Sequence, residues 1–221
     1  MKSFYFAICF ILCNYFSSLA QAVTVSEEIP IRTGDTYEII GKLNNQYLLF
    51  LSRENLTKIH AFDDNFRMVW EKDLELDKRR PEPLGVVTAA NANDFYLIYE
   101  FKNKSETVIK IHKYNAAANL VDSTTIKNYG FQFITPNFEI IRSDDRSKIL
   151  VYYIQDQKDV HATSFDLNTM KTLWDTTFPV NDFYQTREEP QTLVDNKGRF
   201  YFTLSKDNFR SRNKSTHLRY F

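Results

Sequence analysis

Carboxylates are the side chains of this sequence with the clearest capacity for chemistry. Glu38 and Glu139 each follow an aromatic residue and precede two isoleucines, and Glu189 comes just before a similar apolar segment. Two carboxyl groups at a suitable separation act as general acid and general base in glycoside cleavage. The pattern keeps a glycoside-acting enzyme open as an alternative. Because no complete catalytic signature is present, our leading expectation is a chain with no catalytic residues.

Three histidines could be taken for metal ligands. His60 and His112 are 52 residues apart, and His161 lies near the corresponding place further on. Metal ligands must converge within a few ångströms, whereas equivalent positions of successive repeats lie apart. Both cysteines, Cys9 and Cys13, lie in the N-terminal segment. We therefore predict no metal site, and we exclude thiol catalysis and cysteine–zinc sites from the rest of the chain.

The elements that position these residues repeat about every fifty residues. Four apolar runs, each preceded by an Asn/Asp turn, begin at Tyr47, Phe95, Ile149 and Phe200, which are 48, 54 and 51 residues apart. Each run is too short for a helix and is rich in β-forming residues on both faces. This pattern is typical of a strand that lies between two neighbouring sheets.

Three further candidate strands accompany each run, so the repeat unit has four antiparallel strands. Alternating apolar residues over 107–114 predict a half-buried outer strand there. Radial repetition of such a unit builds a β-propeller. We predict an all-β chain, a propeller with three complete blades and an incomplete fourth, over residues 36–76, 84–127, 137–179 and 190–221. In this arrangement Glu38, Glu139 and Glu189 could face the central channel.

The turn between the third and fourth strands carries a family resemblance. Asp63 is followed by Trp70 and Asp166 by Trp174, whereas the middle unit keeps Asn115 without a tryptophan. This succession resembles the repeat of quinoprotein-type (PQQ-like) propellers, in which an Asp opens a hairpin and a Trp follows on the outer strand. The resemblance implies that the Asp and Asn side chains hold the turns and that the tryptophans fill the space between blades.

The sequence departs from that family at the turn glycine, because Met170 stands at or next to its place. A bound pyrroloquinoline quinone would need a full ring and dedicated contacts, so no cofactor is expected. The fourth unit stops before its own outer strand. Two architectures stay open: a four-blade ring closed by residues 23–31, or part of a ring of six to eight blades.

The first 22 residues predict a secretory signal peptide. Lys2 precedes an apolar stretch from Phe4 to Leu12, and the motif Ala-Gln-Ala ends at Ala22. We expect cleavage after Ala22 and a secreted or periplasmic location. An uncleaved membrane anchor is the alternative, but polar residues interrupt the stretch before it reaches the length of a membrane span.

The charge balance limits which classes of binding partner we expect. Lysine and arginine together number 28, as do aspartate and glutamate, so the chain has no net charge to attract nucleic acid. We predict a solvated loop for the basic run over 197–219. We expect a binding or scaffold module that contacts a protein or glycan through loops at one rim, with no nucleic-acid partner and no membrane partner after signal cleavage. The sensor part of a larger exported receptor is a further alternative.

Overall fold

The computed structural model describes residues 23–26, 28–53, 56–76, 81–180, 188–206 and 217–220. The predicted signal peptide lies outside these residues. Every regular element within them is a β-strand. None of the described residues forms a helix with the length and hydropathy needed to cross a membrane.

The strands form four antiparallel sheets, each built from consecutive strands. Sheet 1 contains β1 (Thr36–Leu43), β2 (Gln46–Arg53), β3 (Leu56–Phe62) and β4 (Met68–Asp73). Sheet 2 contains β5 (Glu82–Thr88), β6 (Asp94–Asn103), β7 (Glu106–Asn115) and β8 (Leu120–Phe131). Sheet 3 contains β9 (Glu139–Arg142), β10 (Lys148–Gln155), β11 (Asp159–Asp166) and β12 (Lys171–Pro179). Sheet 4 contains β13 (Glu188–Val194), β14 (Phe200–Lys206) and β15 (His217–Tyr220).

The sheets are stacked in chain order as the blades of a β-propeller. The first strand of each sheet contacts the first strand of the next, β1 with β5, β5 with β9 and β9 with β13. Within each sheet the strands lie side by side in sequence order. This confirms the predicted fold class, an all-β propeller of four-stranded antiparallel blades, with three strands of the fourth blade in the described part of the chain.

Three apolar layers hold the sheets together. Side chains alternate between the two faces of a strand, so Leu97 of β6 packs in the layer against sheet 1 and Ile98 in the layer against sheet 3. In the same way, Ile149 and Leu150 of β10 pack in the layers against sheets 2 and 4. This two-sided burial explains why the sequence places unbroken apolar runs in the second strand of each unit.

Two sequence-based expectations need correction. The strand predicted over 107–114 is present as β7, but its predicted half-buried, outer position is wrong, because Val108 and Ile109 are both buried between sheets. The segment 23–31, considered as a closing strand, takes no strand conformation in its described residues. The guanidinium of Arg53 instead donates to the backbone oxygen of Pro30 and forms an ion pair with Asp35, so this segment lies beside the end of β2.

Candidate functional site

The three carboxylates expected at the channel lie on three different inner strands. Glu38 on β1 is half-buried, and its Oε2 accepts a hydrogen bond of 3.1 Å from the backbone N–H of Val86 on β5. Glu139 on β9 and Glu189 on β13 are exposed. Because β5 lies between β1 and β9, the structure does not bring Glu38 and Glu139 together. The Glu38 carboxylate links the innermost strands of the first two blades.

The predicted turn residues cap the hairpins between third and fourth strands. The Oδ1 atoms of Asp63, Asn115 and Asp166 each accept two hydrogen bonds of 2.8–3.1 Å from backbone N–H groups two to four residues further along. Asp195 does the same in the turn between β13 and β14. These bonds satisfy backbone donors that the tight turns leave without a strand partner.

Each of these turns contains a residue in the left-handed region. Phe66, Ala118 and Met170 have φ values of 56°, 54° and 54°, and Gly198 has a φ of 79°. The first three stand where glycine would be unstrained, and left-handed backbone costs an L-residue about 1–2 kcal/mol. The side-chain caps described above offset part of that cost.

The two tryptophans lie at boundaries between blades. The indole N–H of Trp70 donates to Oε1 of Gln46 at 2.9 Å, and the ring packs against the layer between sheets 1 and 2. The indole N–H of Trp174 donates to the backbone oxygen of Gly198 at 2.8 Å. Gly198 lies in the turn that joins β13 and β14 of sheet 4, so Trp174 joins two blades directly.

The histidines are repeat positions in separate blades. His60, His112 and His161 lie on the third strands β3, β7 and β11. In the described residues, no group of three or more His, Cys, Asp or Glu side chains could hold a metal ion. The ring of His161 stacks on Tyr153 with centroids 4.6 Å apart.

A buried Tyr–His–Tyr chain lies in the layer between sheets 1 and 2. The Nε2 atom of His112 is 2.9 Å from the hydroxyl of Tyr99, and its Nδ1 atom is 2.9 Å from the hydroxyl of Tyr114. Burial, with the positive charge of Lys110 as a second cause, lowers the pKa of His112 to about 4. The imidazole is therefore neutral, with one nitrogen donating and the other accepting.

A second buried titratable group is the carboxyl of Glu100. Glu100 on β6 pairs directly with Glu82 on β5, and its Oε2 is buried with no hydrogen-bond partner among the described residues. Burial raises the pKa of Glu100 to about 7, and the negative charge of Glu82 adds to the effect. A hydrogen bond with the Glu82 side chain also raises the pKa of Glu100.

A cleft of about 570 Å³ opens at the rim between sheets 3 and 4. One wall is the end of β9 and the turn after it, which contribute Arg142, Asp144 and Arg146, and the other wall is the end of β13 and the turn after it. The second wall includes Leu193, which is exposed, and Asn196. The backbone N–H of Asp145 donates to Oδ1 of Asn196 at 3.2 Å and joins the two turns.

The cleft presents positive charge that its own carboxylates do not neutralise. Arg142 and Arg146 are exposed, and their guanidinium groups make no hydrogen bond or ion pair with any residue that the structure describes. Asp195, also in the lining, forms an ion pair of 2.6 Å with Arg199. Asp144 is then the one lining carboxylate without such a partner in the described part of the chain. Arginine guanidinium groups without a protein partner can bind carboxylate or phosphate oxygens.

Sequence reasoning identified neither the Glu82–Glu100 pair nor the two arginines. The pair depends on the register of the β5–β6 hairpin, which only the structure gives. The arginines lie beside the Asp144-Asp145 turn. The sequence feature that could have pointed to them is the spacing of 51 residues between this turn and the Asp195-Asn196 turn. Equivalent turns of consecutive blades lie at the same rim, so residues beside them share one surface.

Comparison with known proteins gives a likeness of fold only. No family model matches the sequence, and no curated protein matches it either. A prolyl endopeptidase structure is 8% identical with a TM-score of 0.45 over 83% of this chain. An endo-arabinase from Bacteroides thetaiotaomicron is 13% identical with a TM-score of 0.41 over 81%. The PQQ domain of pyranose dehydrogenase from Coprinopsis cinerea is 10% identical with a TM-score of 0.42 over 90%.

This chain spans only part of most of those structures. It covers 26% of the prolyl endopeptidase, 54% of the PQQ domain and 71% of the endo-arabinase. The fold assignment rests on the strand order and blade stacking of this chain itself.

Proposed function

We propose that this propeller is a binding module whose rim cleft takes a carboxylate-bearing segment of a partner protein. The observation that carries the proposal is that Arg142 and Arg146 both line one cleft, are exposed and have no side-chain partner among the described residues. Arginine clusters recognise acidic motifs in this way because the planar guanidinium meets a carboxylate with two parallel hydrogen bonds.

The lining favours a protein segment over an extended polyanion. Leu193 is exposed beside the arginines and offers an apolar contact to a neighbouring side chain. Nucleic acids and sulfated glycans are held by many cationic contacts along their length, and this chain has no net charge to supply them. Glu38 is bonded to the backbone of Val86, and no specific observation favours the glycoside-acting alternative.

The proposal also covers the repeat type of the blades and the location of the protein. The pairs Asp63–Trp70 and Asp166–Trp174 support placing the blades with quinoprotein-type repeats, used here for binding and without the quinone. The signal-like segment over residues 1–22 supports export to a secreted or periplasmic location.

Fluorescence anisotropy with a labelled hexaglutamate peptide tests the proposal. We expect saturable binding that weakens as salt is added, because the contact is between charges. The double variant R142Q/R146Q should lower the affinity about tenfold, since the two lost contacts between exposed charges together contribute roughly 1.4 kcal/mol.

The matched control is R67Q/K158Q, which removes two exposed positive charges, one on sheet 1 and one in the turn between β10 and β11 at the end of β10 away from the cleft. This control should change the affinity less than about twofold. An equal loss in both double variants would show that hexaglutamate responds to overall charge. Absence of binding to the unmodified chain would also overturn the proposal.

A further inference from the structure

An uncharged segment with exposed apolar side chains connects sheets 2 and 3. Residues 129–138 contain no charged side chain. Phe131, Phe133 and Ile134, here called the apolar tip, are 69%, 89% and 78% exposed. Such exposure of three large apolar side chains within four residues marks an interaction site, since scattered single residues are the usual case on a surface.

The base of this segment is held in place. The side-chain amide of Gln132 donates to the backbone oxygen of Tyr129 at 3.1 Å. The backbone N–H of Gly130 donates to Oδ1 of Asn128 at 2.8 Å. The ring of Tyr129 packs against Phe138 with centroids 4.9 Å apart. The apolar tip therefore projects from a fixed base, and its binding would cost little additional ordering.

Lysines adjoin the apolar tip. Lys102 Nζ donates to the backbone oxygen of Gln132 at 3.5 Å. Lys104 is exposed in the neighbouring turn between β6 and β7, which the register places beside Phe131 because Glu106 pairs with that residue. The carboxylate of Glu106 is engaged by the side-chain amide of Asn128 at 2.9 Å. The amide of Asn128 leaves the charge of Glu106 in place, so the two lysines and this carboxylate give the surroundings of the tip a formal charge of +1.

We propose that the apolar tip inserts into the interfacial region of an anionic lipid bilayer, with Lys102 and Lys104 near the headgroups. A bilayer accepts projecting apolar side chains without a matching pocket, and anionic headgroups complement the two lysines. This differs from the sequence-based expectation that the mature chain has no membrane partner. It is independent of the rim cleft, because the tip precedes β9 and the cleft lies at the other end of that strand.

Tryptophan quenching by brominated lipids tests insertion at a defined residue. The variant F133W is mixed with vesicles of phosphatidylcholine and phosphatidylglycerol whose acyl chains carry bromine. We expect clear quenching beyond that of the unmodified chain, which contains Trp70 and Trp174. The matched control V121W places the new indole at another exposed position and should show no added quenching, because Val121 lies at the end of β8 opposite to Phe131.

Vesicle co-sedimentation supplies the second measurement. F133S/I134S should lower binding to the anionic vesicles several-fold, and L120S/V121S should not, although it also removes two exposed apolar side chains. K104Q should lower binding up to about fivefold, since one lysine near an anionic surface contributes roughly 1 kcal/mol. All variants carry the same N-terminal segment, so these differences report on the tip. Hexaglutamate binding should be unchanged in F133S/I134S.

Three results would overturn the proposal. The first is equal quenching of F133W and V121W, and the second is equal loss of vesicle binding in the two serine double variants. The third is loss of self-association in F133S/I134S, measured by sedimentation velocity, with vesicle binding unchanged. That third result would assign the apolar tip to a contact between copies of the chain.

Discussion

The carboxyl of Glu100, which faces Glu82 across the β5–β6 hairpin, has a pKa raised to about 7 by burial. Glu100 is buried, and its raised pKa means that the folded protein retains a proton which the unfolded chain releases near pH 4.5. A carboxyl group of this kind stabilises the fold below that pH. Its contribution is lost as the pH rises through about 7.

Replacement of Glu100 by glutamine should therefore stabilise the protein in mildly alkaline solution. Near pH 8 we expect a gain on the order of 2 kcal/mol, because the variant has no buried carboxyl to ionise and its amide can still donate to Glu82. Near pH 4 the two proteins should be equally stable. Urea unfolding at both pH values measures the difference in stability. The control is Glu189→Gln, at an exposed position, which should leave the stability unchanged at both pH values. A gain of the same size at both pH values would contradict the assignment.

His112 predicts the opposite pH dependence. Its pKa is lowered from 6.5 to about 4, so between these pH values the unfolded chain binds a proton on His112 and the folded chain does not. Stability should fall as the pH decreases from about 6.5 to about 4. Nitrogen chemical shifts of the His112 ring should show a neutral imidazole down to about pH 4. A titration midpoint of about pH 6 or above for the His112 ring would contradict the burial of this ring between Tyr99 and Tyr114.

At the scale of elements, the turns fix how closely neighbouring blades approach. Gly198 shows this most clearly, because a Cβ atom built there would lie 2.6 Å from Cδ1 of Leu173 and 2.7 Å from Oγ of Ser164. Both contacts are with sheet 3. The backbone oxygen of the same glycine accepts the indole N–H of Trp174. A side chain at this position would separate the third and fourth blades.

We predict that Gly198→Ala destabilises the protein more than Gly130→Ala does. Both glycines have positive φ, 79° and 69°, but a Cβ at Gly130 would meet nothing within 4 Å. The comparison isolates the inter-blade clash, which should add roughly 2 kcal/mol, as other overpacking substitutions do. Thermal unfolding of the two variants measures it. Equal losses would mean that the blades separate at Gly198 without cost.

The sequence predicted the hairpins well and their irregularities poorly. Turn chemistry at Asp63, Asn115 and Asp166 and the apolar runs located the strands, since both are local properties. From the turn alone, the β5–β6 hairpin would place Glu82 opposite Phe101. A bulge between Pro83 and Gly85 shifts the register by one residue and sets Glu82 opposite Glu100. Bulges of this kind depend on packing between blades, which sequence spacing does not encode.

At the scale of the whole molecule, the core is a succession of layers between blades. Sheets 2 and 3 are covered by a neighbouring sheet on both faces, whereas in the described residues sheets 1 and 4 have such a neighbour on one face only. The stability of each strand should follow this arrangement, because backbone amides exchange with solvent through local opening.

Hydrogen exchange should therefore be slowest in β6 and β10. We expect their amides to exchange at least about tenfold more slowly than those of β2 and β14, which hold the equivalent place in sheets 1 and 4. Mass spectrometry of peptides from the four strands gives the comparison. Equal protection in β2 and β6 would show that the outer face of sheet 1 is covered in solution.

The candidate site is a property of the assembly of blades and not of one repeat. Arg142 and Arg146 lie beside a turn that the sequence identified, but their surface is completed by Leu193 and Asn196, about one repeat later. Charged residues beside a turn usually face water, so the sequence alone gave no reason to single them out. The propeller arrangement supplies that reason, because it brings equivalent turns to one rim.

Nuclear magnetic resonance of the arginine Nε–Hε groups tests the central claim most directly. Titration with hexaglutamate should shift the signals of Arg142 and Arg146 together and saturably, while the signal of exposed Arg67 stays in place. Shifts spread evenly over all exposed arginines, or none at Arg142 and Arg146, would contradict a carboxylate-binding cleft between the third and fourth blades.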